Sequence, residues 1–226
     1  MLEIIIFAEG QSEEQFIKKV VAPALKHLNL FLKPQILKTS KESAGGALNF
    51  DRLRFYARRV LDQKPKAVLT TFLDLYGLTT DFPGYQQSKK ISDVYERAKC
   101  IEVAMHERIV ADAGCQPDRF IAHVQPYEFE GLLFSDVTRL VSVEPDWHLC
   151  RGQLEKVRNA FLSPEHINDS YQTKPSLRLQ SILRPKYKKT RHGPLIADSI
   201  GMSRIEAECL HFKTWVNRLR ALSRSF

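Results

Sequence analysis

Three observations predict an α/β fold built on a mainly parallel sheet flanked by helices, with a helical C-terminal part. The run Ala67-Val68-Leu69-Thr70-Thr71-Phe72-Leu73 carries no charge and spans about 22 Å when extended, the pattern of a strand buried on both faces. Ahead of it, strand-like and helix-like patterns alternate as strand, helix, strand, helix, strand, which right-handed crossovers turn into parallel neighbours. Finally, two of these strands stop on an acid with a glycine close behind, Glu9-Gly10 and Asp74 with Gly77. Functional groups of an open parallel sheet collect outside the carboxyl ends of its strands, so Glu9 and Asp74 are expected at one edge.

Residues 2–8 form the first strand, β-branched at its centre. Ser12 to Gln15 match the Ser-x-x-Gln capping box, which predicts a helix with Phe16, Val20, Val21, Ala24, Leu25 and Leu28 inward and a kink or break at Pro23. Glu9 then lies in a strand-to-helix turn, where a carboxylate meets a cation or merely serves the helix dipole. A short strand over residues 35–38 leads into a polar loop holding Gly45-Gly46. Asn49 or Asp51 starts the next helix, with Phe50, Leu53, Tyr56, Ala57, Val60 and Leu61 inward and a basic outer face. The central strand follows Pro65. After Asp74, the turn Asp81-Phe82-Pro83-Gly84 is structured. Residues 92–113 read as a long helix stopped by Gly114, with a core stripe from Ile91 and Val94 to Ile109 and His106 at the surface. Residues 119–124 are the fourth strand. Glu128 and Glu130 follow it; in a helix they diverge by about 200°, whereas on extended backbone they share a face. Helices are expected over residues 152–162, 176–183 and 203–223.

The chain has 226 residues, enough for one large domain or a domain with a sub-domain, and 43% hydrophobic with 27% charged residues suits a soluble globular protein. A net charge of +8 suggests an anionic partner, nucleic acid first. From Lys174 to Pro194 there is no acid, while Lys174, Arg178, Arg184, Lys186, Lys188, Lys189, Arg191 and His192 accumulate around Tyr187. Such a basic loop suits phosphate contact; a solvated loop is the alternative. Cys100, Cys115, Cys150 and Cys209 lie far apart, which argues against structural zinc and for unpaired thiols in a reducing compartment. No apolar run approaches ~18 residues, and a strand containing Glu3 opens the chain, so a cytoplasmic location without signal peptide or membrane span is expected.

Acids from three strand ends repel one another unless a cation neutralises them, and oxygen-only ligation favours Mg²⁺ or Mn²⁺. Such a metal activates water for attack on a phosphodiester. Neither a nucleophile elbow nor a P-loop motif is present.

Glu9-Gly10-x-Ser12-Glu13 after a hydrophobic strand, with Asp74 ending a later one, resembles the TOPRIM fold of topoisomerases, primases and overcoming-lysogenization-defect nucleases. Four further stretches are similar to a bacterial family of unknown function (domain of unknown function 4276) with a TOPRIM-like core: Asp74-Leu-Tyr-Gly-Leu with Asp81-Phe-Pro-Gly; Gln125-Pro-Tyr-Glu-Phe-Glu-Gly-Leu-Leu-Phe; Lys174-Pro-Ser-Leu-Arg; and His192-Gly-Pro-Leu-Ile-Ala with Ile200-Gly. The resemblance covers nearly the whole chain. It implies a TOPRIM-like core over residues 1–140, a helical part over 141–226 packed on it, and a metal-dependent nuclease like the toxin subunit of anti-phage defence systems, released by a partner ATPase and often dimeric. The expected catalytic residues are Glu9, Asp74, Glu128 and Glu130, with Glu9, Asp74 and Glu128 on the metal and Lys174, Arg178, Lys188, Lys189 and His192 on nucleic acid. TOPRIM enzymes usually carry Asp-x-Asp where this chain has Asp74-Leu75-Tyr76, so another ligand must come from Glu128, Glu130 or Asp81. The competing expectation is a non-catalytic nucleic-acid-binding or partner-regulated module with a vestigial acidic site.

Overall fold

A computed structural model describes residues 1–37, 48–168 and 170–224. The expected strand end at Lys38 and the Gly45-Gly46 loop lie outside them.

Strand β1, Leu2–Ala8, leads into helix α1, Gln11–Phe16, which Gly10 caps in an extended conformation without a side-chain bond. The expected capping box at Ser12 does not form, because the helix starts one residue earlier and places Ser12 inside its first turn. The chain continues through a π turn, Ile17–Val21, into α2, Ala22–Leu25. Ala22 N–H donates to the Ile17 carbonyl five residues back, so the ladder resets just ahead of Pro23. The break expected at the proline is this π turn. Asn29, left-handed at φ 55, turns the chain into β2, Leu30–Ile36, which starts five residues before the strand expected over 35–38. Its mixed burial hid it: Phe31 and Lys33 face solvent, and Pro34 is tolerated because β2 is an edge strand.

Helix α3, Phe50–Gln63, is capped by Asn49, whose side chain accepts from Arg52 N–H. Strand β3, Val68–Asp74, is buried at every residue. A short α4, Tyr85–Ser88, precedes α5, Val94–Ala113, which Asp93 caps and Gly114 ends at φ 60. The fourth strand is two short ones, β4 at Phe120–Ile121 and β5 at Val124–Gln125, each pairing parallel with β3. Between them threonine hydroxyls replace the ladder: Thr70 donates to the Ile121 carbonyl (2.7 Å) and Thr71 to the His123 carbonyl (2.8 Å), while His123 N–H donates back to Thr71 (2.9 Å).

Glu128 is still extended, and a 3₁₀ segment, Phe129–Ser135, leads to α6, Val137–Val141, and α7, Arg151–Asn159. Next come α8, Pro175–Ile182, α9, Lys189–Ile200, α10, Met202–Glu208, and α11, Leu210–Leu222. Two expectations change here. Helix α9 begins inside the segment read as a basic loop, and the helix expected over 203–223 is divided at Cys209, which is extended (φ -120, ψ 93).

The sheet runs β2-β1-β3-β4, with β5 also on β3, and every strand pairing described is parallel. Side chains alternate to its two faces. Ile5, Phe7, Leu69 and Leu73 join α3 and α5 through Leu53, Ala57, Ala98, Ile101 and Met105. On the other face, Ile4, Ile6, Ala8, Val68 and Phe72 join α1 and the C-terminal helices through Phe16, Phe129, Phe212 and Trp215. Because β1 pairs directly with β3, Ala8 opposite Phe72, Glu9 and Asp74 leave the same edge of the sheet. No described helix is long and apolar enough to cross a membrane.

Candidate acidic pocket at the strand ends

Glu9 and Asp74 are linked at once, since Asp74 N–H donates to Glu9 Oε1 at 3.0 Å. Asp74 Oδ1 in turn accepts from Phe129 N–H at 2.8 Å, which pins the start of the 3₁₀ segment to the end of β3. Glu128 is on extended backbone and Glu130 lies in the 3₁₀ segment, so the structure falls between the two alternatives the sequence left open. Glu128 Oε2 accepts from Ser176 N–H at the start of α8 (3.0 Å), and Glu128 Oε1 pairs with Lys174 Nζ (2.7 Å). Lys189, the first residue of α9, brings its Nζ to 3.2 Å from Glu130 Oε1 and 3.6 Å from Glu128 Oε1. The Tyr187 hydroxyl donates to Glu130 Oε1 at 3.4 Å. Asp74, Glu128 and Glu130 are buried, whereas Glu9 retains some exposure.

Glu13 is the acid the sequence reading did not assign. It sits in the first turn of α1, buried, one helical turn beyond Glu9. A Cβ at Gly10 would come within 3.1 Å of its Oε2, and a Cβ at Gly77 would overlap the Glu9 carboxylate. A side chain at Gly77 would therefore displace the Glu9 carboxylate, whereas at Gly10 the Glu13 carboxylate would need to shift only by a few tenths of an ångström.

Burial sets the electrostatics. It raises the Glu9 carboxyl to about 8, with the Glu13 charge adding to the effect. Burial likewise pushes Glu13 up, Asp74 well above the usual range with the Glu9 charge contributing, and Glu130 to about 7. Glu128 moves the other way: burial opposes it, but Lys189 and Lys174 together hold its carboxyl low. Lys189, opposed by burial, is held protonated by Glu130 and Glu128.

The structure brings Glu9, Asp74, Glu128, Glu130, Lys174 and Lys189 together. Asp81 is elsewhere, accepting from Phe50 N–H at 2.8 Å at the start of α3. Arg178 donates from Nε to the Thr173 carbonyl (2.5 Å) and lies over the Phe161 ring. Lys188 is exposed, and its N–H donates to His192 Nδ1 (2.9 Å). His192 is buried edge-on against Trp147, with its Nε2 3.2 Å from Glu144 Oε1. The basic segment is thus only partly a surface: Lys174 and Lys189 turn inward onto acids, and Tyr187 is buried. No local pattern announces this, because the partners lie over forty residues away.

A hard divalent cation fits this donor set in kind. All the donors are oxygens, and Glu130 Oε2 is buried without a partner. In spacing the pocket is closed on lysine instead. Among the described residues, the group of three or more potential ligands whose atoms lie within 4.8 Å of one another is Glu102, His123 and His211, away from this pocket. A cation held by Glu9, Asp74 and Glu128 therefore requires the Lys174 and Lys189 amines to give way.

One family model, described as Domain of unknown function (DUF4276), matches residues 8–220. No curated protein and no solved structure matches the chain.

Proposed function

Because the chain belongs to the DUF4276 family, whose description names no activity, we propose its function from the pocket: metal-dependent hydrolysis of nucleic-acid phosphodiester bonds by a TOPRIM-like site. The observation that carries this reading is the meeting of Glu9, Asp74, Glu128 and Glu130 at the carboxyl ends of parallel strands, with Glu130 Oε2 unspent. Mg²⁺ or Mn²⁺ on Glu9, Asp74 and Glu128 would supply a Lewis acid and a water of lowered pKa.

The chain's own residues have definable parts. Glu130 near 7 can take up or release a proton at neutral pH, whereas Glu9, near 8 without metal, would give up its proton to hold the cation. Phe129 N–H holds the Asp74 carboxylate in place. Lys174 and Lys189 can pass from carboxylate to phosphate oxygens as a nucleic-acid backbone arrives, a charge-assisted exchange that opens the pocket. The net charge of +8 favours that encounter. The sequence resemblance to toxin nuclease subunits, rather than the geometry, extends the proposal to an anti-phage defence pair in which a cytoplasmic homodimer is released by a regulatory ATPase.

A second reading, a non-catalytic nucleic-acid-binding or partner-regulated module, is favoured by the lysine-closed spacing of the acids. One experiment separates them: thermal stability with and without Mg²⁺ or Mn²⁺, beside cleavage of mixed RNA and DNA substrates. The nuclease reading expects metal to stabilise the chain, and Glu9→Gln to reduce cleavage by at least ~10²-fold while the fold survives. Nucleic-acid binding, measured alongside by salt titration, without any metal stabilisation supports the second reading; missing cleavage alone does not, because a nuclease released by its partner is silent without it.

A further inference from the structure

A second cluster of metal-ligating side chains lies apart from the acidic pocket. Glu102 projects from α5, His123 from the link between β4 and β5, and His211 from the first turn of α11. Their ligand atoms all lie within 4.8 Å of one another. Glu102 Oε1 is 2.8 Å from His211 Nε2 and 3.5 Å from His123 Nδ1. Metal–ligand bonds of about 2.0–2.2 Å put neighbouring ligands of a tetrahedral site roughly 3.3 Å apart, and the two separations bracket that figure.

Each ligand is also held by other contacts. Val124 N–H donates to Glu102 Oε1 at 2.8 Å. The His123 ring stacks on Trp215 and Phe72, with centroids at 5.0 and 5.4 Å. His211 stacks on Tyr95 and its backbone N–H donates to Glu165 Oε2 at 2.9 Å. Support of this kind preorganises a metal site. His123 is fully buried, and its Nε2 has no partner. Glu102 and His211 form part of the wall of a pocket of about 500 Å³, with Lys99, His106, Thr214 and Arg218 around it. Glu102 and His211 thus open this cluster to the pocket, from which a fourth ligand can approach.

We propose that Glu102, His123 and His211 bind a borderline transition-metal ion of the Zn²⁺ class, leaving one coordination position facing the pocket. Two imidazoles and one carboxylate, without thiolate, suit Zn²⁺ and disfavour Mg²⁺. Binding fastens α11 to α5 and to the end of β4, and it releases any proton the imidazoles carry. The site is independent of the acidic pocket and of the activity proposed for it.

The test is a Co²⁺ titration of the chelator-treated full chain, read by visible d–d absorption and followed by Zn²⁺ competition. The expected result is a saturable tetrahedral Co²⁺ absorption band that Zn²⁺ displaces and Glu9→Gln retains. Glu102→Gln keeps an acceptor for Val124 N–H, and His211→Ala changes a side chain at the pocket wall; each should weaken binding by at least ~10²-fold. The X-ray absorption spectrum of the loaded wild type needs no variant and should show two imidazoles without sulfur. Absence of a saturable Co²⁺ spectrum, sulfur in the coordination shell, or binding retained by both variants overturns the proposal.

Discussion

Glu9 shows what burial does to a single acid. Its carboxyl, ordinarily near 4.5, stands near 8 in the folded chain, so the fold favours the protonated form. The stability it contributes is complete below about 4.5 and lost as pH climbs through 8. Glu130 behaves alike, losing its contribution as pH rises towards 7. In chelator, the melting temperature should fall from pH 5 to pH 9, and Glu9→Gln should flatten that fall and stabilise the chain at pH 9. Because Glu9 keeps some exposure, about 1–2 kcal/mol is the expected gain. A Glu9→Gln profile that parallels the wild type would refute the assignment. Lys189 tests the opposite charge. Lys189→Met strips the cation from Glu128 and Glu130, so at pH 8 without metal it should cost about 1–2 kcal/mol by denaturant melts, discounted for the lysine's partial exposure. If a cation can take its place, Mg²⁺ should stabilise this variant more than the wild type. The strand-end acids were legible in the sequence because each closes an apolar run and two such runs predict neighbouring parallel strands, whose carboxyl ends share one edge. The lysines' inward turn was not, since it depends on α8 and α9 folding back over the strand ends.

At the scale of elements, the readable pieces were those whose ends carry their own chemistry. Asn49 and Asp93 accept from the N–H three residues on, and Gly114 is left-handed, so α3 and α5 lie close to where pattern and caps place them. Asn49→Ala should cost about 1 kcal/mol in chemical denaturation, while Asn49→Ser should cost only a few tenths. Elements that borrow support from elsewhere were misread. β2 hides behind exposed Phe31 and Lys33, and β4 and β5 are separated because Thr70 and Thr71 hydroxyls serve the backbone between them. Helix α9 was obscured by His192-Gly193-Pro194. Gly193 packs closely there: a Cβ would come within 3.0 Å of the Tyr187 hydroxyl and 3.1 Å of the Phe129 ring, so those rings would have to shift slightly. The trio of Glu102, His123 and His211 was equally hidden, its members spread over three elements.

Over the whole molecule, one aromatic group ties the sheet to the C-terminal helices. Phe16, Phe72, Phe129, Phe212 and Trp215 lie ring against ring, and Trp215 Nε1 donates to the buried Thr70 hydroxyl at 2.9 Å. Trp215→Ala should cost about 3–5 kcal/mol, and a fragment of residues 1–140 should lack a cooperative calorimetric transition because one face of its sheet is stripped. A sharp two-state transition in that fragment would show that the core stands alone. The outer strand of the sheet has a further consequence, for the chain's behaviour in crowded solution. Among the described residues β2 is an outer strand, with Pro34 at mid-strand and Lys33 beside it, while β4 at the opposite end of the sheet is only two residues long. Neither rim templates a neighbour, so the sheet resists growing into fibrils by strand addition. Pro34→Val with Lys33→Val should restore that hazard, seen as faster thioflavin-positive aggregation at an unchanged melting temperature.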